Sequence, residues 1–184
     1  HQLEKVLEKI APGNEIICVD KLTEGAACTV LLARNMIDNQ HPLMIANCDQ
    51  FIDIKIDDYL AAFDTKAFDG MIMTMRATDK RWSYVRLDHR RKVSELREKE
   101  VISEEATVGI YNFSKGSDFV FAANSMIAKN IRTNGEFYVA PVYNELISAG
   151  KKIAIFNIGE LGNAMHGLGT PSDLIAFLKT ATAS

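Results

Sequence analysis

The sequence of 184 residues predicts a layered α/β fold on two observations: strand-like and helix-like segments alternate along most of it, and its apolar runs are short and bounded by polar turns. A third observation is local. The uncharged run His41-Pro42-Leu43-Met44-Ile45-Ala46-Asn47-Cys48 stops abruptly at Asp49. In a parallel sheet such a run is a buried strand, and ligands gather beyond the carboxyl ends of strands. Asp49 is therefore expected at the mouth of a site, where a carboxylate can hold a hard divalent cation against phosphate oxygens.

Leu3, Val6, Leu7 and Ile10 recur at helical spacing over His1 to Ile10, and Pro12-Gly13-Asn14 ends that helix. Glu15 to Val19 reads as a short strand. Thr23-Glu24-Gly25 opens a second helix with Ala27, Val30, Leu31 and Met36 on its apolar face, closing near Asp38-Asn39. Leu43 to Ala46 is the next strand. Asp57 to Phe68 reads as a surface helix with Tyr59, Leu60 and Phe63 inward, followed by a strand from Gly70 to Arg76. The alternation then breaks. Tyr84 to Leu87, Lys92 to Leu96 and Thr107 to Phe113 read as strands of an antiparallel meander. Helices from Ser117 to about Asn130 and around Val139 to Ala149, a strand from Lys152 to Asn157, and a helix from Pro171 to Leu178 complete the chain. Thr170 is placed to cap the last of these, with Pro171 in its first turn.

Hydrophobic residues make up 47% and charged residues 24%, so the chain can bury a single core holding roughly 70% of its unfolded surface. No linker divides it, and one domain spanning 1–184 is expected. A net charge of -3 gives no electrostatic reason to expect nucleic acid or an anionic membrane as partner. No apolar stretch approaches the roughly 20 residues that cross a bilayer. The basic clusters Lys80-Arg81 and His89-Arg90-Arg91-Lys92 read as solvated loop surface rather than a polyanion site. Cys18, Cys28 and Cys48 lack metal-ligand spacing, and their odd number argues for a reducing, cytoplasmic setting. Cys18 and Cys48 fall in apolar runs and are expected to pack as small hydrophobes.

The order of these pieces resembles the sugar-phosphate nucleotidylyltransferases, enzymes that join a nucleoside triphosphate to a sugar 1-phosphate and release pyrophosphate. Asn47-Cys48-Asp49 occupies the place of that family's magnesium-binding aspartate motif at a strand end. Leu22-Thr23-Glu24-Gly25-Ala26-Ala27 is similar to the turn that lies beside the nucleobase, where missing side chains let a flat base approach; this tract alone reads more simply as an ordinary helix start packed on the sheet, but with Asp49 at the next strand end the nucleobase reading is the better one. Val93 to Lys99 resembles the family's Glu-Lys-Pro segment, which implies that Glu98 accepts from acceptor hydroxyls and Lys99 meets the acceptor phosphate. Glu100 stands where proline is usual, and a solvated charged turn is the simpler reading of this tract alone. Gly109 matches a glycine that lets the acceptor lie close, or else packs within a strand. Asn144 falls where the family turns into a helix near the acceptor pocket, with capping or exposure as the plainer account.

Met165-His166-Gly167-Leu168-Gly169-Thr170-Pro171 is similar to the family's closing motif, except that Gly167 replaces its second metal-binding aspartate. His166 is adjacent and is the further candidate ligand, although hard magnesium prefers oxygen.

The resemblance implies a Rossmann-like three-layer α/β/α fold with a mixed sheet and Mg2+ as cofactor. Nucleotide contacts fall at Gly25, Ala26, Asn47 and Asp49, and acceptor contacts at Glu98, Lys99, Gly109 and Asn144. Asp49 and Lys99 carry the chemistry. The partners implied are a nucleoside triphosphate and a small phosphorylated acceptor, and a homo-oligomer is compatible. The family's N-terminal strand, glycine-rich loop, arginine and Pro-Lys have no counterpart here, so the sequence reads as the acceptor half of an enzyme, inactive by itself. A metal-dependent nucleotide-sugar glycosyltransferase and a non-catalytic nucleotide-binding module of the same fold are the alternatives.

Overall fold

A computed structural model describes residues 3–180. The elements run α1 (Leu3–Ile10), α2 (Ala26–Val30), a 3-10 turn (Leu31–Ala33), α3 (Arg34–Ile37), β1 (Leu43–Ala46), β2 (Gln50–Ile52), α4 (Ile56–Ala62), β3 (Gly70–Arg76), β4 (Ser83–Leu87), β5 (Val93–Glu98) and β6 (Glu105–Phe113). They continue with α5 (Gly116–Ala128), α6 (Val142–Ser148), β7 (Ile153–Glu160), β8 (Met165–Gly167) and α7 (Pro171–Phe177).

The main sheet is ordered β5-β4-β6-β3-β7, with β1 also on β6, and β2 pairs β8 in a separate ribbon. Only β3 and β7 are parallel; the remaining ladders are antiparallel. The mixed sheet agrees with the expected fold class. The strand at 43–46 departs from its expected setting, however. It pairs antiparallel with β6, Leu43 opposite Phe113 and Ala46 opposite Ile110, and alternates half-buried and exposed positions instead of being buried on both faces.

Alternation along β3 shows how the layers form. Ile72 joins the cluster of Phe113, Phe119 and Tyr143 under α5 and α6, whereas Met71, Met73 and Met75 join Tyr59 of α4 on the other face. Phe113 and Tyr143 stack at 4.6 Å. Two buried hydroxyls between the layers are satisfied: that of Tyr59 donates to Asn112 Oδ1 at 2.8 Å, and that of Tyr143 to the Asn112 carbonyl at 2.9 Å.

Several expectations change at the N-terminal side. Glu15 to Val19 forms no strand: no described segment offers it a ladder, and a strand exists only through its paired backbone. Cys18 is consequently exposed, and Cys48, one residue past the main-chain bond from Asn47 to Gly109, is exposed as well; neither packs as a hydrophobe. The predicted first helix forms over Leu3–Ile10, its first two residues lying outside the described ones, but its face stays open among the described residues, with Ile10 71% exposed. The second helix breaks into α2, the 3-10 turn and α3. α4 ends at Ala62 rather than Phe68; it buries Tyr59 but leaves Leu60 exposed. The last helix matches, with the Thr170 hydroxyl accepting from Asp173 N–H at 3.2 Å.

Candidate active site

A break in the central strand makes room for a cavity. The register of β3 on β6 jumps from Ile72 opposite Tyr111 to Thr74 opposite Thr107, so β6 bulges around Gly109, whose φ is +75°. On its other edge β6 changes partner at the same place, pairing Ile110 with Ala46 of β1 and Ala106 with Tyr84 of β4. The end of β1 and the start of β4 therefore flank one opening, a cavity of about 400 Å3. Ala26, Asn47, Asp49, Glu98, Lys99 and Gly109 all line it.

Asp49 forms one wall. Its main-chain carbonyl accepts from Leu168 N–H at 2.8 Å, which fixes it against the loop after β8. A Cβ on Gly169 would lie 2.7 Å from Asp49 Oδ2, so only glycine there leaves the carboxylate its place. Gly109 is required in the same way: its positive φ disfavours a side chain, and a Cβ would fall 2.5 Å from Asn47 Nδ2. The amide of Asn47 thus lies directly over the bulge.

The opposite wall is built on the β4–β5 pair. Ser83 faces Glu98 across the ladder, and its hydroxyl donates to Glu98 Oε2. Burial raises the Glu98 pKa above the ordinary carboxylate value, against the Ser83 bond and the Lys99 charge, which pull it down. Lys99 follows in the left-handed region at φ +57°, a conformation costing a non-glycine residue roughly 1–2 kcal/mol. Its ammonium donates to the Tyr138 hydroxyl at 2.7 Å, the main reason its pKa is raised, and it lies 4.8 Å from that ring's centroid. Tyr111, bonded to Thr107 at 3.0 Å, is pushed up to about 12 by burial and presents a neutral hydroxyl.

Three predicted residues stand elsewhere. Gly25 does not line the cavity; its φ is +127°, and a Cβ would lie 2.5 Å from the Phe137 carbonyl, so the glycine serves a backbone crossing while Ala26 faces the opening. Asn144 is corrected from an acceptor contact to a strand cap: its Oδ1 accepts from Leu96 N–H and its Nδ2 donates to the Leu96 carbonyl, both at 2.8 Å, closing the outer edge of β5. Asn144→Ala is expected to lower stability by about 1–3 kcal/mol in urea titrations while leaving ligand affinity in the cavity unchanged. His166 is likewise displaced. Met165 and Gly167 line the cavity, so strand alternation sends the intervening His166 to the opposite side, where its ring lies 5.3 Å from Phe177 and 6.2 Å from Phe51.

The structure adds residues that sequence patterns did not single out. Arg81, assigned to solvated surface, lines the cavity, stacks 4.9 Å over Trp82, and reaches Asp173 at 3.5 Å. Ser83, Tyr138 and Asp173 complete the walls. The lone tryptophan between Arg81 and Ser83 was the available signal for these two; Tyr138 and Asp173 lie far from them in sequence.

Among the described residues, no group of three or more His, Cys, Asp or Glu side chains is placed to hold a metal. Asp49 nevertheless fits a hard cation that takes one or two protein carboxylates and completes its shell with substrate phosphates and water. No described helix is long and apolar enough to cross a membrane.

The chain is similar to the nucleoside-diphosphate-sugar pyrophosphorylase of Vibrio cholerae RC9, at 25% identity and TM-score 0.78, covering 97% of this chain and 75% of that one. It shares its fold with a Bacillus anthracis protein assigned as a glucose-1-phosphate thymidylyltransferase and solved with sucrose, at 17% identity and TM-score 0.71, covering 94% of this chain and 69% of that one. The inositol-1-phosphate CTP transferase of T. maritima shares it too, at 14% identity and TM-score 0.70, covering 95% and 69%. No curated protein matches. The nucleotidyl transferase family model matches residues 2–160, through both walls of the cavity up to the end of β7, and the chain belongs to that family.

Proposed function

We propose that this domain joins a nucleoside triphosphate to a sugar 1-phosphate or a similar small phosphorylated acceptor, with release of pyrophosphate. The observation that carries the reading is one cavity with Asp49 on one wall and the Glu98–Lys99 pair on the other. Its volume of about 400 Å3 lies within the range of small-molecule sites.

An acceptor phosphate oxygen attacks the α-phosphorus in line. The new O–P bond forms as the bond to the β-phosphate oxygen breaks, and the electron pair leaves with pyrophosphate. No side-chain nucleophile is needed, and the protein's part is positioning and charge stabilisation. Asp49 would hold Mg2+, which supplies positive charge to the phosphate oxygens. Asn47 and Ala26 border the nucleotide, Lys99 meets the acceptor phosphate, and Glu98 accepts from acceptor hydroxyls while Gly109 lets the acceptor lie close. The free thiols of Cys18, Cys28 and Cys48 fit a cytoplasmic setting.

Incubating the protein with Mg2+, each nucleoside triphosphate and a panel of phosphorylated acceptors tests the reading; pyrophosphate and a nucleotidylated acceptor are expected. Sugar transfer from a nucleotide sugar without pyrophosphate would instead make it a glycosyltransferase. The raised pKa of Glu98 gives a pH signature. Its ionised form, the acceptor of hydroxyl hydrogen bonds, is lost as pH falls through a value above the ordinary carboxylate range. KM for the acceptor is expected to rise over that interval, and Glu98→Gln to show a high KM with no such rise. A wild-type profile flat to pH 4 would remove Glu98 from acceptor binding.

A further inference from the structure

Gly167 and Gly169 sit two residues apart at the end of β8, and each has a carboxylate in front of its bare Cα. A Cβ on Gly169 would lie 2.7 Å from Asp49 Oδ2, and one on Gly167 would lie 3.6 Å from both Cγ and Oδ2 of Asp173. The two acids arrive from separate elements, Asp49 from the turn after β1 and Asp173 from the first turn of α7, and both line the cavity. The space in front of Gly167 is the space that a side chain on Gly167 would have used.

We infer that Asp173 supplies the second carboxylate to the divalent cation held by Asp49, in place of the side chain that Gly167 lacks. This rests on the metal-dependent reading proposed above. The donor set suits it. Asp49 carries no side-chain hydrogen bond or ion pair with a described residue, so its carboxylate is free to coordinate at the opening that Asp173 also lines. Asp173 retains coordinating capacity: Oδ2 accepts from the Thr170 hydroxyl at 2.7 Å, and Oδ1 has one long contact to Arg81 Nη1 at 3.5 Å, leaving further lone pairs on both oxygens. The Thr170 bonds hold the side chain still, which favours a ligand over a mobile surface acid. Two oxygens from protein, with phosphate and water for the rest, is the coordination magnesium prefers.

Asp173 also helps to cap α7 through Thr170, so the test must separate capping from coordination. Mn2+ is titrated into the chain without nucleotide, free Mn2+ is followed by its electron paramagnetic resonance signal, and melting temperatures are recorded in parallel. Asp173→Asn is expected to weaken Mn2+ binding at least tenfold. The double variant Gly167→Asp/Asp173→Asn returns the carboxylate to the strand and is expected to recover binding to within a few-fold; the new Cβ meets only an ordinary contact at 3.6 Å. A lower melting temperature for Asp173→Asn with unchanged Mn2+ affinity makes Asp173 a cap alone and overturns the inference. If Asp49→Asn loses Mn2+ and Asp173→Asn keeps it, the inference fails while the Asp49 site stands. If the wild-type chain binds no Mn2+, both fail.

Discussion

Asp49→Asn is expected to reduce Mg2+-dependent pyrophosphate release at least a hundredfold while leaving the melting temperature unchanged. The two halves of this expectation have separate causes. The carboxylate takes no side-chain partner among the described residues, and the residue is anchored through its main chain by the bond from Leu168 at 2.8 Å. Replacing one carboxylate oxygen by an amide therefore removes little from the folded state. The same change removes the negative charge that would hold the cation, and losing one preorganised electrostatic element from a phosphoryl-type transfer costs about 3 kcal/mol of transition-state stabilisation. Rates at several Mg2+ concentrations together with thermal melts check both halves. A rate within threefold of wild type at saturating nucleotide removes Asp49 from the mechanism.

Gly25→Ala is expected to lower stability strongly. At φ +127° the backbone strain on an L residue is roughly 1–3 kcal/mol, and the new methyl would lie 2.5 Å from the Phe137 carbonyl oxygen and 2.6 Å from its nitrogen. Those are main-chain atoms already committed. Phe137 N–H donates to the Glu24 carbonyl at 2.8 Å, and Ala27 N–H donates to the Phe137 carbonyl at 3.0 Å. The segment cannot yield without loosening both bonds, which adds about 1–3 kcal/mol of overpacking. A fall in melting temperature of roughly 10 °C follows for a chain of this size. Gly13→Ala is the control: its φ of +78° also disfavours a side chain, though less than that of Gly25, and nothing lies within 4 Å of the added Cβ. If the two variants melt alike, the close approach to Phe137 contributes nothing.

The elements most legible in the sequence were those whose pattern reflects local geometry. β3, β4, β6, α5 and α7 lie within a few residues of where periodicity and capping put them, because apolar alternation and a Thr-Pro helix start encode structure over a few residues. Glu15 to Val19 failed for the opposite reason: its apolar run has strand character, but pairing depends on a neighbour that the run does not specify. His166 and Gly167 are adjacent in sequence, yet strand alternation separates them by a full sheet face, so proximity in the chain misplaced the histidine. Asn144 lies on a helix in a promising region, and only its partners, the main-chain atoms of Leu96, reveal that it closes a sheet edge. Arg81 read as surface because its stacking partner and its carboxylate partner come from the next residue and from a helix near the other end of the chain.

By itself the sequence determined the class of fold and the placing of an aspartate just past the end of a strand, while the Glu98–Lys99 pair was reached only through the family resemblance. The first two depend on residue type and local spacing, which are properties of a linear pattern. Only the tertiary structure decided which side chains share a cavity. The bulge at Gly109 opens β6 where β1 ends and β4 begins, and this brings Asp49, Glu98 and Lys99 to one opening while turning His166 and Asn144 away. It also places Asp173 in front of Gly167. Sheet register and strand alternation fix these relations between residues far apart in the chain, so no local pattern could have announced them.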